Sequence, residues 1–326
     1  MKMSYDITIG TYKVNNVLAV KITKNCDQLS DTCVVELPAQ AYNAALEVES
    51  KLKRGNFAQV SVGYNGNNNL EFEGYVFKIE TDDKIIIHLE DAMFLLRKPI
   101  KNREYKAVKL SALMDDVVAQ INAVLPVGSD KITVSIDDAV KAIGYEKFTI
   151  DNQATAWEVM RKVQENWKVN IFLRGAELFV QAKYTDNLGV VVYDFSENVE
   201  KNALKYRKSE DKQVQVEVIG VTRQNKKVSV IVGKEGGDKI TLHRYNITDE
   251  AALKLIGEEE LKKHSYTGYE GTITTWLVPY ATYGNRAKII DELYPEREGT
   301  YYVEAVTTTF SSSGGVRELS LGVKVD

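Results

Sequence analysis

The residues able to do chemistry in this chain of 326 are mostly carboxylates. Aspartate and glutamate together number 46, and three aspartate pairs are adjacent: Asp82 with Asp83, Asp115 with Asp116, and Asp137 with Asp138. Glu90 and Asp91 make a mixed pair. Two carboxylates a set distance apart in a cleft could hydrolyse a glycosidic bond, one as acid and the other as base or nucleophile. Adjacency along the chain does not supply that cleft. Asp82 and Asp83 fall in a turn, and Asp115 and Asp116 fall early in a helix, where solvent and the helix dipole account for them. Asp91 precedes the short apolar run Ala92 to Leu96 and reads as its N-cap rather than as half of a catalytic pair.

Nucleophile and metal chemistry find less support. The spacing of Cys26 and Cys33 fits no common zinc pattern, and the three histidines, His88, His243 and His264, lie far apart. The thiols read as small apolar side chains and the histidines as structural. Gly233-Lys234-Glu235-Gly236-Gly237 is glycine-rich but lies between strands, not ahead of a helix, so it reads as a hairpin turn rather than a phosphate cradle. No Walker loop, dinucleotide fingerprint, GxSxG elbow or HExxH pair occurs in the sequence, and no window has the ligand spacing of a calcium loop. No catalytic residue, cofactor or metal is expected. The 18 tyrosines are the more informative group. Tyrosine suits half-buried sheet surfaces and also protein interfaces, and the loop carrying Tyr280 and Tyr283 is the expected contact surface.

The elements that must carry these residues are mostly strands. Residues 1–97 read as one β-rich domain: strands around Tyr5 to Ile9, Val17 to Ile22 and Thr32 to Leu37, then a helix after Pro38 with Tyr42, Ala45, Leu46, Glu49 and Leu52 at helical spacing. Three further strands follow between Phe57 and Glu90. The middle one, Glu71 to Glu80, changes alternation near Gly74, which suggests a bulge or barrel corner. Residues 98–187 read as an α+β module. A helix runs from Lys109 to Leu125, and a strand from Lys131 to Ile136. Thr155 and Glu158 form a capping box ahead of a helix that buries Ala156, Val159, Met160, Val163 and Trp167, and a hairpin follows. Residues 188–326 are β-rich again, with one helix near 248–264 whose N-cap is expected at Thr248. In the final strand Leu319, Leu321, Val323 and Val325 share a face, and Arg317, Glu318, Ser320 and Lys324 surround it with polar groups. The fold class is α+β, predominantly β.

Composition narrows the function classes. Hydrophobic residues make up 44% and charged residues 27%, as in an ordinary globular protein. A net charge of −4 argues against sequence-independent binding to nucleic acid, and no sequence-specific binding is expected. No apolar run reaches the length of a membrane-crossing helix, and the first residues lack the apolar core of a secretory signal.

One set of spacings resembles a known family. Gly55, Phe57, Val60, Val62, Gly63 and Tyr64, then Phe72 through Val76, then Ile87, Leu89, Glu90, Asp91, Met93 and Leu96 look like the first domain of bacteriophage baseplate hub proteins of the late-control D type. They are similar also to the hub half of type VI secretion spike proteins. Thr155, Glu158, Val163, Trp167, Lys168, Val169 and Asn170, with Leu178, Phe179 and Val180, resemble the helix-plus-hairpin module. The run Gly299 through Val303 with Val306, Phe310, Ser311, Gly314, Gly315, Val316, Leu319, Leu321 and Gly322 resembles the closing hairpin. Coverage is weakest over residues 186–270. The resemblance implies a homotrimeric ring in which each subunit supplies two small β-barrel domains separated by the middle module. Such a ring adapts a hexameric tail tube to a trimeric spike and serves as a conduit. It implies tail tube and spike proteins as partners, with tape-measure and baseplate-wedge proteins nearby. It also implies a place in the virion tail baseplate after synthesis in the bacterial cytoplasm. The other function classes are a carboxylate-dependent cell-wall hydrolase and a carbohydrate- or receptor-binding β protein.

The capping role assigned to Asp91 has a direct test. Asp91→Ala is expected to lower stability by about 1 kcal/mol in chemical denaturation and to alter no chemistry.

Overall fold

A computed structural model describes residues 2–38, 52–126, 128–141, 143–210, 213–222 and 224–325. The chain opens with β1 (Met3–Ile9), β2 (Tyr12–Lys13), β3 (Ala19–Asn25), β4 (Thr32–Pro38), β5 (Phe57–Tyr64), β6 (Asn67–Thr81) and β7 (Lys84–Glu90). A 3-10 turn (Ala92–Leu96) leads to β8 (Arg103–Lys109), α1 (Leu110–Asn122), β9 (Thr133–Ile136), α2 (Asp138–Lys141) and β10 (Gly144–Ile150). Next come α3 (Ala156–Trp167) and the hairpin β11 (Asn170–Arg174) and β12 (Glu177–Gln181). Then follow β13 (Val190–Asp194), β14 (Lys201–Arg207), β15 (Val214–Val221), β16 (Lys227–Gly233), β17 (Asp238–Tyr245) and α4 (Glu250–Lys262). The chain closes with β18 (Gly268–Trp276), β19 (Arg286–Ile290), β20 (Gly299–Ser311) and β21 (Gly314–Lys324). The structure is predominantly β, as the alternations predict. The helix expected after Pro38 lies almost wholly outside the described residues.

Two compact units are interleaved along the chain. The first comprises Met1–Phe94, Asp186–Tyr206 and Tyr269–Asp326, and the second Leu95–Thr185 and Arg207–Gly268. The segment 188–326 is thus shared between them. Its inserted part, β15 to α4, belongs with the middle module, where Glu146 N–H donates to Asn246 C=O (3.3 Å) and Thr248 Oγ1 donates to Glu146 Oε1.

The first unit is built on one sheet, in the order β14-β18-β21-β20-β3-β4-β7-β6-β5-β1-β2, with β19 also on β20 and β13 on β19. Strands from the start and the end of the chain join where β3 pairs antiparallel with β20. Among the described residues these pairings close no barrel. The core beneath follows the period-2 pattern: Ile7 and Ile9, Ala58, Val60 and Val62, and Ile85, Ile87 and Leu89 are all buried. The change of alternation in β6 is not at Gly74. Val60 pairs with Phe72 and Ser61 with Leu70, so Glu71 is the extra residue of a bulge. The bulge turns Glu71 inward (1% exposed) and Leu70 outward (45% exposed). Gly74 has a different reason. A Cβ there would stand 2.2 Å from Glu90 C=O, so the backbones of β6 and β7 meet too closely for a side chain.

In the second unit Leu110, Leu113, Met114, Val117 and Ile121 form the buried stripe of α1. The capping box of α3 is present: Glu158 N–H donates to Thr155 Oγ1 (3.2 Å) and Thr155 N–H to Glu158 Oε2 (2.7 Å). The cap of α4 is Asp249, not Thr248; Asp249 accepts from Ala252 N–H (2.9 Å). Strands β8 and β10 form a separate antiparallel pair. The 233–237 segment is not a hairpin turn. β15 lies between β16, its antiparallel neighbour, and β17, its parallel one, so this segment carries the chain across the end of β15. No helix among the described residues is long and apolar enough to cross a membrane.

Candidate functional site

The carboxylate pairs of the sequence separate in space. Asp82 and Asp83 are exposed in their turn. Asp116 turns to a surface network of its own: Arg103 Nη1 and Tyr105 Oη donate to it, and Gln120 Nε2 donates at 3.0 Å. These donors outweigh its partial burial and hold its carboxyl below the usual range. His88 stands 3.3 Å from Glu80, and His264 3.7 Å from Glu260, each a neighbour within its own unit. Cys26 and Cys33 are buried thiols, as small apolar residues would be. Among the described residues no group of three or more His, Cys, Asp or Glu side chains could hold a metal ion.

Asp91 does cap its turn: Met93 N–H donates to Asp91 Oδ1 (3.0 Å) and Phe94 N–H to its carbonyl (3.0 Å). It has a second partner that spacing along the chain hides. Asp31, 60 residues earlier, donates its N–H to Asp91 Oδ2 (2.9 Å). Asp91 N–H returns a bond to Asp31 C=O (3.1 Å). Asn25 N–H donates to Asp31 Oδ1 (3.2 Å). Both residues are half-buried. Burial pushes the Asp31 carboxyl up to about 7, against the pull of Lys24. Burial, then the charge of Asp31, raises Asp91 well above the carboxylate range. The two backbones tie the β3–β4 turn to the end of β7, and both carboxyls are shifted up, chiefly by burial.

The most heavily built polar centre was not legible as a site. Glu71, turned in by the bulge, meets Arg317 of β21 in the core of the first unit; the two side chains are 1% and 0% exposed. Arg317 Nη2 donates to Glu71 Oε1. Arg317 Nη1 donates to the carbonyls of Leu277 (2.7 Å) and Pro279 (2.6 Å). Thr308 Oγ1 donates to Glu71 Oε2 (3.4 Å). Burial pushes the Glu71 carboxyl up, and the Arg317 guanidinium and the Thr308 hydroxyl oppose it. The alternation of the last strand held the signal: Arg317 has the parity of Leu319, Leu321 and Val323, so it belongs to the core face and not to the polar surround.

Arg317 also places the expected interface residue. Its guanidinium lies 5.1 Å from the centroid of the Tyr280 ring, which is 37% exposed. Tyr283 is half-buried in the same loop, which Asn285 pins by accepting from Thr282 N–H (2.9 Å). Trp276 and Val278 are exposed while Leu277 between them is buried, so Trp276, Val278 and Tyr280 alternate outward along one segment. A groove of about 410 Å³, lined by Met3, Tyr64, Glu200, Trp276 and the 312–316 turn, opens beside Trp276. Trp276 and Val278 were missed because the tyrosines alone drew attention.

No protein-family model matches the chain, and no curated protein matches it by sequence. Solved structures do match in fold. The tail protein from Neisseria meningitidis superposes with a TM-score of 0.67 at 12% identity, covering 99% of this chain and 97% of that one. The 43 kDa tail protein of a Shewanella oneidensis prophage gives 0.61 at 16% identity, with 97% of each chain covered. A component of the Escherichia coli type VI secretion system, itself described as similar to bacteriophage T4 tail proteins, gives 0.61 at 9% identity over 100% of this chain and 77% of that one. The chain therefore shares its fold with these phage tail and type VI secretion proteins.

Two outcomes follow from the buried groups. Glu71→Leu leaves Arg317 buried without its carboxylate and is expected to cost about 3–5 kcal/mol of unfolding free energy in urea. Asp31 binds its proton more tightly folded than unfolded. Its contribution is therefore fully present below the ordinary carboxylate range and is lost as pH rises through about 7. The thermal midpoint should fall over that window, and Asp31→Asn should flatten the fall.

Proposed function

We propose that the chain is a structural baseplate hub of a phage or prophage tail. The observation that carries this reading is the fold match over nearly the full length of both partners to tail proteins of two bacteria. In this reading three copies form a ring that adapts a hexameric tail tube to a trimeric spike and leaves a central conduit. The work is mechanical and needs no catalytic residue. The initial and final β-rich segments act as two tube-like barrel units in each copy, so that the ring offers six similar faces to the tube. The ring meets tube protein on one side and spike protein on the other, with tape-measure and baseplate-wedge proteins as neighbours in the virion tail. Trp276, Val278 and Tyr280, with Tyr283 behind them, serve as a protein–protein contact, because an exposed aromatic and apolar row on a pinned loop suits an interface core.

Light scattering with electron microscopy, on the protein alone and with tail tube and spike proteins added, checks the reading. A threefold hollow ring of tube width is the expected outcome. A compact monomer in every mixture would overturn it.

A further inference from the structure

The sheet β16-β15-β17 in the second unit has one edge that lacks the usual protection. Val214 C=O accepts from Lys234 N–H (3.1 Å), and Thr222 N–H donates to Lys226 C=O (3.0 Å). With the register of β15 on β16, these bonds make Val216–Val232, Val218–Val230 and Gly220–Val228 the bonded pairs. The N–H and C=O groups of Ser229 and Ile231 therefore point away from the sheet. No hydrogen bond among the described residues engages them. Between Val228 and Val232 the strand reads Val-Ser-Val-Ile-Val, with high β-propensity and neither charge nor proline. Soluble proteins blunt such edges with inward charges, prolines or bulges. The opposite edge strand, β17, carries Lys239, His243 and Arg244.

The sheet is also covered on one face only. α4 packs against β15 and β16, and its Gly257 stands close to Val218 and Val232. On the other face Ile231 is 54% exposed and Tyr245 69% exposed, with Ile219 and Val221 half-buried between. Charge sets the ends of the free strand. Lys226 and Lys227 precede it and Lys234 follows it, all exposed and with no ion pair among the described residues; Glu235 comes directly after Lys234, so the basic charge is concentrated at the Lys226–Lys227 end.

We propose that the outer edge of β16 is a strand-addition site for an extended segment of another protein, apolar at alternate positions and flanked by carboxylates. Backbone bonds to Ser229 and Ile231 supply the pairing, Ile231 the apolar contact, and the lysines at each end the charge match. In one register the same charges disfavour a second copy of this chain, while pairing Ile231 on Ile231 would set Lys227 against Glu235, so sedimentation decides that alternative. A two-fold pairing with Ser229 opposite Ile231 sets Lys226 of one copy against Lys234 of the other, and like charges directly opposite are destabilising. The site is independent of the hub reading.

The test uses the full chain and two labelled synthetic peptides of alternating valine and threonine, one flanked by paired aspartates and one by paired lysines. In fluorescence anisotropy the aspartate peptide should bind at least about tenfold more tightly, and more weakly as salt rises. Ile231→Lys, on an exposed position, should weaken that binding by about tenfold while leaving the thermal midpoint in place. Equal affinity for the two peptides, no binding at millimolar peptide, or binding unchanged by Ile231→Lys would overturn the proposal. So would a dimer in sedimentation that Ile231→Lys disperses, because that assigns the edge to a second copy.

Discussion

The first unit depends on a charged pair with no water to fall back on. Taking Glu71 and Arg317 out of solvent costs several kcal/mol for each ion, and their attraction offsets this only with good geometry and further hydrogen bonds. Parts from distant places in the chain supply most of those bonds, while Arg317 Nε stays buried with no hydrogen-bond partner among the described residues. A bulge in β6 aims the carboxylate, β21 supplies the guanidinium, and two carbonyls after β18 and the Thr308 hydroxyl of β20 occupy remaining bonds. A slip of one residue would send every inward side chain to the other face of the sheet, and a slip of two would keep apolar side chains inside yet part Arg317 from Glu71. The pair therefore fixes register among strands from both ends of the sequence.

That constraint bears on the contact surface proposed for Trp276, Val278 and Tyr280. Tyr280 lies over the guanidinium whose other donors hold Leu277 and Pro279 from within. The side chains that alternate outward from this segment rest on this buried polar centre. A surface held from beneath loses less conformational freedom when a partner docks, which is how a modest patch can bind usefully.

Local features were legible in the sequence and long-range ones were not. The capping box at Thr155 and Glu158, the stripe of α1 and the alternation of β5 each rest on neighbours a few residues apart, and each appears in the structure. Asp91 was legible as a cap but not as a neighbour of Asp31, because only the pairing of β4 with β7 brings them together. The bulge at Glu71 depends on the register of β5 against β6, and a glycine three residues on drew the reading away from it. Strand β8, Arg-Glu-Tyr-Lys-Ala-Val-Lys, has no apolar face to announce it; β10 holds it through Tyr145, Phe148 and Ile150, which are buried. The 233–237 segment was misread because a glycine-rich link between strands looks the same whether it turns back or crosses over. Thr248 lost the cap to Asp249 because its hydroxyl is engaged by Glu146, 102 residues away.

The separation of Glu71 from Arg317 also sets an order of events during synthesis. The two lie 246 residues apart. A ribosome adding about 5–20 residues per second exposes the carboxylate roughly 12–50 s before the guanidinium exists. The whole second unit is synthesised in that interval and consists of shorter-range pairings. For that time the early strands carry an acidic residue, without its guanidinium, where their core will be. The sheet becomes complete only when β21 is added between β18 and β20, so the first unit cannot close before that strand emerges.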